Sequence, residues 1–320
     1  MATLGIGLLR VLWSVAPMPD GVRLPPLAAG ALHDKVGQMS AHFGGVGVDA
    51  VWITGDMNAA VIQRPRWGLV GRMQTHLLIG LPLAHSISPQ QFSAVLAHEF
   101  GHLSLQRTGA ASWARHIVAW WFRVSDGLVD QLPCTAAIID RWTRADLVRA
   151  IELAHVDEFE ADAAATRRVG VETVANTLLE VALKERFLFE DYWCKVLQQS
   201  MVRPRPLIRP YREMALGMSA GFRAPASAAS VMSSLYDESS DCADPLHPTV
   251  WERLEALGMS VDCLETVSSD GDTVANRLLK PLLPSLSLVF DRAWWLGTRD
   301  KWIRSHRIAL RSRRARGIAK

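Results

Sequence analysis

Leu32, Val36, Met39 and Phe43 recur at three- and four-residue steps and the pattern stops at Gly44 and Gly45, which predicts a first amphipathic helix. The period then shortens. "DAVWIT", "AAVIQ", "WGLVGR" and "HLLIGLPL" are short apolar runs broken by Gly, Asp, Asn and Pro, and they predict three or four strands of a small antiparallel-type sheet, with "GDMN" (Gly55 to Asn58) as a hairpin turn.

Helical spacing returns at Ser88, where an N-cap serine, Pro89 in the first turn and Gln91 at the third position form a capping box, flanked by Ile87 and Phe92 as a hydrophobic staple. This predicts a helix from Pro89 to about Gln106. Further helical patterns run from Ala111 to about Gly170, with a break near Pro133, and from there to about Ser200. Pro204, Pro206, Pro210, Pro225 and "APASAASVMSS" read as an irregular connector over 201–245, after which helical patterns resume beyond Pro248. The expected fold class is α+β, predominantly helical. The expected organisation is an N-terminal segment at 1–30, a main domain at 31–258 and a C-terminal helical extension at 259–320.

Chemistry enters with "VLAHEFGHLS" (Val95 to Ser104), which lies in the middle of the capped helix. Residues four apart share a helix face, so His98 and His102 can aim both imidazoles at one point, as a zinc ion requires. Glu99 lies beside that point and could take a proton from a metal-bound water. A catalytic zinc takes a third protein ligand. Extending the stripe Leu147, Ile151, Ala154 along "HVDEFEADAAA" places Glu158 and Asp162 where core residues are expected. Buried carboxylates need a metal or a donor N–H. Glu158 is therefore the expected third ligand and Asp162 the acceptor that fixes a ligand histidine, while Glu160 and His155 are expected to be exposed.

The 320 residues, 49% hydrophobic and 21% charged, belong to a folded chain and exclude global disorder. Cys134, Cys194, Cys242 and Cys263 form no CxxC pair, so a disulfide framework and a cysteine zinc site are not expected and a reducing compartment fits. The N-terminal apolar run is broken by Arg10, a poor signal-peptide core, and the longest uncharged stretch, Met73 to Ala97, is interrupted by polar residues and Pro89. No transmembrane helix is expected, and the expected location is cytoplasmic or peripheral on a membrane.

The net charge of +3 conceals an asymmetry: Arg299 to Lys320 holds nine Lys or Arg against Asp300, and the rest of the chain is net acidic. Trp302, His306 and Leu310 share a helical face there. That face suits either an anionic membrane surface or a solvated basic end. Nucleic acid is not an expected partner, since no such motif is present.

Taken together, these residues resemble the HtpX-like and CAAX prenyl endopeptidase family of zinc metallopeptidases, a gluzincin family. "GLPLAHSISPQQFSAVLAHEFGHLS" is similar to its active-site helix and lead-in, "DEFEADAAA" to its ExxAD ligand helix, and "LHPTVWERLEAL" (Leu246 to Leu257) to its HP segment with a following arginine. "MNAA" resembles its Asn-Ala strand segment near the cleft. The resemblance implies a zincin-like domain hydrolysing protein or peptide substrates, with His247 near the metal as an extra ligand or transition-state contact. It also implies a lesser, similar role for Arg253 and substrate contacts at Asn58 and Ala59. Integral-membrane members carry transmembrane helices around the HExxH helix, and this chain shows none. The alternative reading is a zinc-containing binding or chaperone-like factor with little or latent proteolysis.

Overall fold

The structure, a computed structural model, describes residues 18–67, 70–105, 120–121, 124–125, 129, 136–222, 247–260 and 272–318. The N-terminal stretch to residue 17, most of the helical pattern at 106–135, the side chain of Leu147, the later half of the connector, and Cys134, Cys242 and Cys263 lie outside that description.

A four-stranded mixed sheet is built from β1 (Val22–Leu24), β2 (Ala50–Thr54), β3 (Ala59–Trp67) and β4 (Val70–Gly80), in the order β1-β2-β4-β3. β1 runs antiparallel to β2, and β3 antiparallel to β4, but β2 and β4 are parallel, in register from Ala50 opposite His76 to Thr54 opposite Gly80. The expected antiparallel-type sheet is thus mixed, with two antiparallel pairings and one parallel, and the hairpin at Gly55 to Asn58 is corrected. All five residues of β2 are buried, and a strand covered on both faces takes an interior place with partners on both sides. Instead of turning back, the chain skips one slot, forms the edge strand β3 and returns as β4 into the gap. Residues 55–58 cross directly over the end of β4: Gly80 N–H donates to the Asn58 carbonyl at 2.7 Å, and a Cβ on Gly80 would lie 1.8 Å from the Asp56 oxygen. Only glycine fits under that crossing.

Helix α1 (Gly30–His42) buries Leu32, Val36 and Met39 and ends at Gly44 and Gly45, whose φ angles are +80° and +73°. The final run "GLPL" leaves β4 as a short helix, α2 (Leu81–Ser86), rather than continuing the strand. α3 (Pro89–Leu105) starts with the capping box in place: Gln91 N–H donates to Ser88 Oγ at 3.3 Å, and Ser88 N–H to Gln91 Oε1 at 2.8 Å. Ile87 and Phe92 are both fully buried beside it. Phe92, Leu96, Phe100 and Leu103 continue one buried stripe, each contributing about 1.5–3 kcal/mol, and they fix the rotation of α3 about its axis.

α4 (Ala136–Val169) packs along α3 and stops at Gly170, φ +90°. α5 (Val171–Phe187) passes through a π-helical turn (Leu188–Tyr192) into α6 (Trp193–Gln198) and a 3-10 turn (Gln199–Met201). The connector is not wholly irregular: Pro210 opens α7 (Pro210–Phe222), where Asp291 Oδ1 accepts the Tyr211 N–H at 2.8 Å. α8 (Val250–Ala256), α9 (Val274–Leu278) and α10 (Leu283–Ile318) follow, with α10 packed on α7 and the 3-10 turn. Trp302 is not on an outward face: it is 1% exposed and donates its indole N–H to the Arg203 carbonyl at 3.0 Å, while His306 Nδ1 lies 2.9 Å from the Ser200 carbonyl. Among the described residues no helix is long and apolar enough to cross a membrane.

Candidate metal centre

Two helices bring the chemistry together, and a glycine sets their distance. A Cβ on Gly101 would meet the Ala161 Cα and oxygen and the Ala164 Cβ, each at 3.2 Å, so the middle letters of HEFGH let α3 lie almost directly on the backbone of α4. His98 and His102 on α3 thereby face Glu158 and Asp162 on α4. The third wall is α8 with its lead-in, which carries Arg253 and His247. α8 is placed by its own capping box between Thr249 and Glu252.

His98 Nε2 lies 3.1 Å from His102 Nε2 and 3.3 Å from Glu158 Oε2, and His102 Nε2 lies 3.2 Å from Glu158 Oε1. Four ligands set tetrahedrally at about 2.0–2.1 Å from zinc stand about 3.3 Å apart, so these three donors already have the spacing of a tetrahedral face. Among the described residues His98, His102 and Glu158 form a group able to hold a metal ion. Glu158 Oε2 is buried, and its nearest donors, His98 Nε2 and Arg253 Nη1, both stand off at 3.3 Å without hydrogen-bond geometry. A carboxylate oxygen left in that state costs free energy that a cation would recover.

Charge points the same way. Glu99, Glu158 and Asp162 are all buried, and Arg253 is the fixed cation within the cluster. With the histidines neutral, as metal ligation requires, three carboxylates against one guanidinium leave two negative charges, the complement of one divalent ion.

The surroundings orient the donors. His98 Nδ1 is 2.9 Å from Asp162 Oδ1, which leaves Nε2 turned toward Glu158. Arg253 grips Asp162 with two hydrogen bonds, Nε to Oδ2 at 2.8 Å and Nη2 to Oδ1 at 2.7 Å, and reaches Glu158 Oε2 with Nη1 at 3.3 Å. Its guanidinium thus lies against both carboxylates. His247 is half exposed and touches Glu158 Oε1 through Nδ1 at 3.1 Å, so it stands on the solvent side of the cluster.

Burial opposes a charged His98, yet the hydrogen bonds to Asp162 and Glu158 overcome it and raise its pKa to about 9. Burial likewise works against the charged forms of Glu158 and Asp162. The three histidines around Glu158 hold its carboxyl far below the ordinary range, and Arg253 with His98 holds Asp162 down. Glu99 moves the other way: burial pushes its pKa up more than the two histidines and the Val61 N–H pull it down. A glutamate with a raised pKa is suited to proton transfer.

One contact has no signal in the sequence. Val61 on edge strand β3 donates its backbone N–H to Glu99 Oε2 at 2.9 Å, linking the sheet to the carboxylate through a group every residue except proline carries. Asn58, just before the same strand, is exposed and Ala59 at its start is buried, three and two residues from that contact. Glu160 is exposed, but His155 is half-buried, near Glu252 of α8.

Comparison of the chain with protein-family models, with curated proteins and with solved structures finds no match.

Proposed function

We propose that this protein is a zinc-dependent endopeptidase of the gluzincin kind, zincin-like in its domain, hydrolysing peptide bonds of protein substrates. The observation that carries the reading is the donor triangle of His98, His102 and Glu158 at tetrahedral spacing, with the buried Glu99 carboxylate on the adjacent helix position. Two imidazole nitrogens and a carboxylate oxygen are a typical catalytic zinc set, distinct from the all-oxygen sets of magnesium or calcium. Zinc bound there would supply Lewis acidity and bring the pKa of a coordinated water to about 7.

The chain's own groups do the rest. Glu99 takes the proton of the attacking water at a carboxylate oxygen and returns it to the leaving amine. The Val61 N–H holds that carboxylate in place. Asp162, itself held by Arg253, keeps His98 Nε2 as the ligand nitrogen. His247, half exposed at the rim, would donate to the oxyanion or serve as an extra ligand. β3 is an edge strand, and its start at Asn58 and Ala59 would take an extended substrate backbone by strand addition.

The test is metal analysis of the purified protein with casein degradation measured with and without a chelator. Zinc near one equivalent and chelator-sensitive degradation are expected. Zinc without turnover on any unfolded protein would overturn the enzyme reading in favour of a binding or chaperone-like factor.

A further inference from the structure

The basic C-terminal run does not stand alone in the fold. Trp302, His306 and Arg313 on one side of α10 seize the carbonyls of Arg203, Ser200 and Met201, at 3.0, 2.9 and 2.7 Å. A second basic stretch, "MVRPRPL" (Met201 to Leu207), is thereby fastened to the basic tail from about a hundred residues away. Neither this stretch nor residues 301–320 contains an acidic residue.

The loop is also apolar at its tips. Met201, Val202 and Leu207 are 48%, 62% and 68% exposed, and Arg203 and Arg205, exposed as well, stand between them. Beside the loop, Ile303, Arg307, Leu310 and Arg314 follow at three- and four-residue steps along α10, alternating apolar and basic, while Arg299 one turn earlier pairs with Asp300 at 3.2 Å. Aliphatic tips interleaved with arginines are costly against water and match a surface that is anionic outside and apolar just beneath.

We propose that this composite corner, the 201–207 loop together with the exposed side of α10, docks on an anionic phospholipid surface. Arginines meet the headgroups while Met201, Val202 and Leu207 enter the acyl boundary. The occupant is lipid rather than nucleic acid because the exposed groups among the arginines are aliphatic, whereas single strands are held by aromatic platforms. The acidic remainder of the chain orients the basic corner toward a negative surface. None of these residues belongs to the His98, His102, Glu158 group.

The experiment is co-sedimentation of the full chain with vesicles of phosphatidylcholine alone or with phosphatidylserine added, alongside filter binding to single-stranded DNA. Binding to the anionic vesicles only is expected, weakening as salt rises. The double variant R203Q/R205Q should lower vesicle partitioning about 25-fold, near fivefold per arginine. The variant V202S/L207S leaves the charge unchanged, and it should lower vesicle partitioning about tenfold or more while leaving any DNA binding unaltered. All four positions are exposed, and far-UV circular dichroism checks that folding is intact. Equal binding to phosphatidylcholine vesicles, tighter binding to DNA than to the anionic vesicles, or partitioning unaffected by either variant would overturn the proposal.

Discussion

Replacing Arg253 by methionine keeps the apolar stem and removes the cation from between two buried carboxylates. The wild-type guanidinium makes hydrogen bonds of 2.8 and 2.7 Å to Asp162 and approaches Glu158 at 3.3 Å, while Asp162 is 2% and Glu158 5% exposed. Removing one partner of such a buried pair costs about 3–5 kcal/mol, because the other is left charged and dry. Unfolding entropy of about 2.1 cal/mol/K per residue gives about 0.7 kcal/mol/K for 320 residues, so Tm of the metal-free protein should fall by about 4–8 °C. The assay is calorimetric melting at pH 7 with and without saturating zinc. A dication at the His98, His102, Glu158 site supplies the missing positive charge, so the gap between variant and wild type should narrow when zinc is present. Adding Asp162→Asn should recover part of the loss, since the stranded charge is then gone. A metal-free gap under about 1 °C, or one that zinc leaves unchanged, would refute the charge accounting.

Three further outcomes follow from the same cluster. Glu99→Gln should retain zinc and lose about 10²–10⁴-fold in peptidase rate, measured on casein with metal content checked in parallel. Asp162→Asn should weaken zinc about 10–100-fold in competition with a chromogenic chelator, because His98 loses its charged partner. In the metal-free protein the His98 pKa is raised from 6.5 to about 9, so its stabilising contribution is fully present below about pH 6.5 and disappears as pH climbs through about 9. Melting of the chelated protein from pH 6 to 10 should show that decline, and a flat profile would count against the histidine–carboxylate contacts.

What the residue pattern made legible was local. The capping box of α3, the glycine stop of α1 and the spacing of His98 and His102 depend on neighbours within one or two turns, and periodicity reports those directly. Glu158 and Asp162 were legible because a carboxylate on an otherwise apolar stripe contradicts its own helix and so asks for a distant partner. The strand order was not legible: "DAVWIT" and "AAVIQ" are equally apolar whether they pair with each other or with β4 between them. Trp302 misled for a related reason. A tryptophan on an arginine-rich helix has the same spacing whether it faces lipid or, as here, covers the Arg203 carbonyl. The Val61 contact to Glu99 left no trace at all, since a backbone N–H has no letter in the sequence.

The close crossing of α3 and α4 at Gly101 also changes the connectivity of the chain once a metal is bound. His102 and Glu158 are 56 positions apart, so one ion gripping both closes a loop of that length, as a covalent cross-link would. By loop-closure entropy such a link is worth about 4 kcal/mol at 25 °C, independent of any hydrolytic role. The ion would then act as a removable rivet: with it in place, opening the two helices means breaking ligand bonds, and after chelation their separation is resisted by the small-residue contact of Gly101 with Ala161 and Ala164 and by the contacts of His98 and His102 with Glu158 and Asp162.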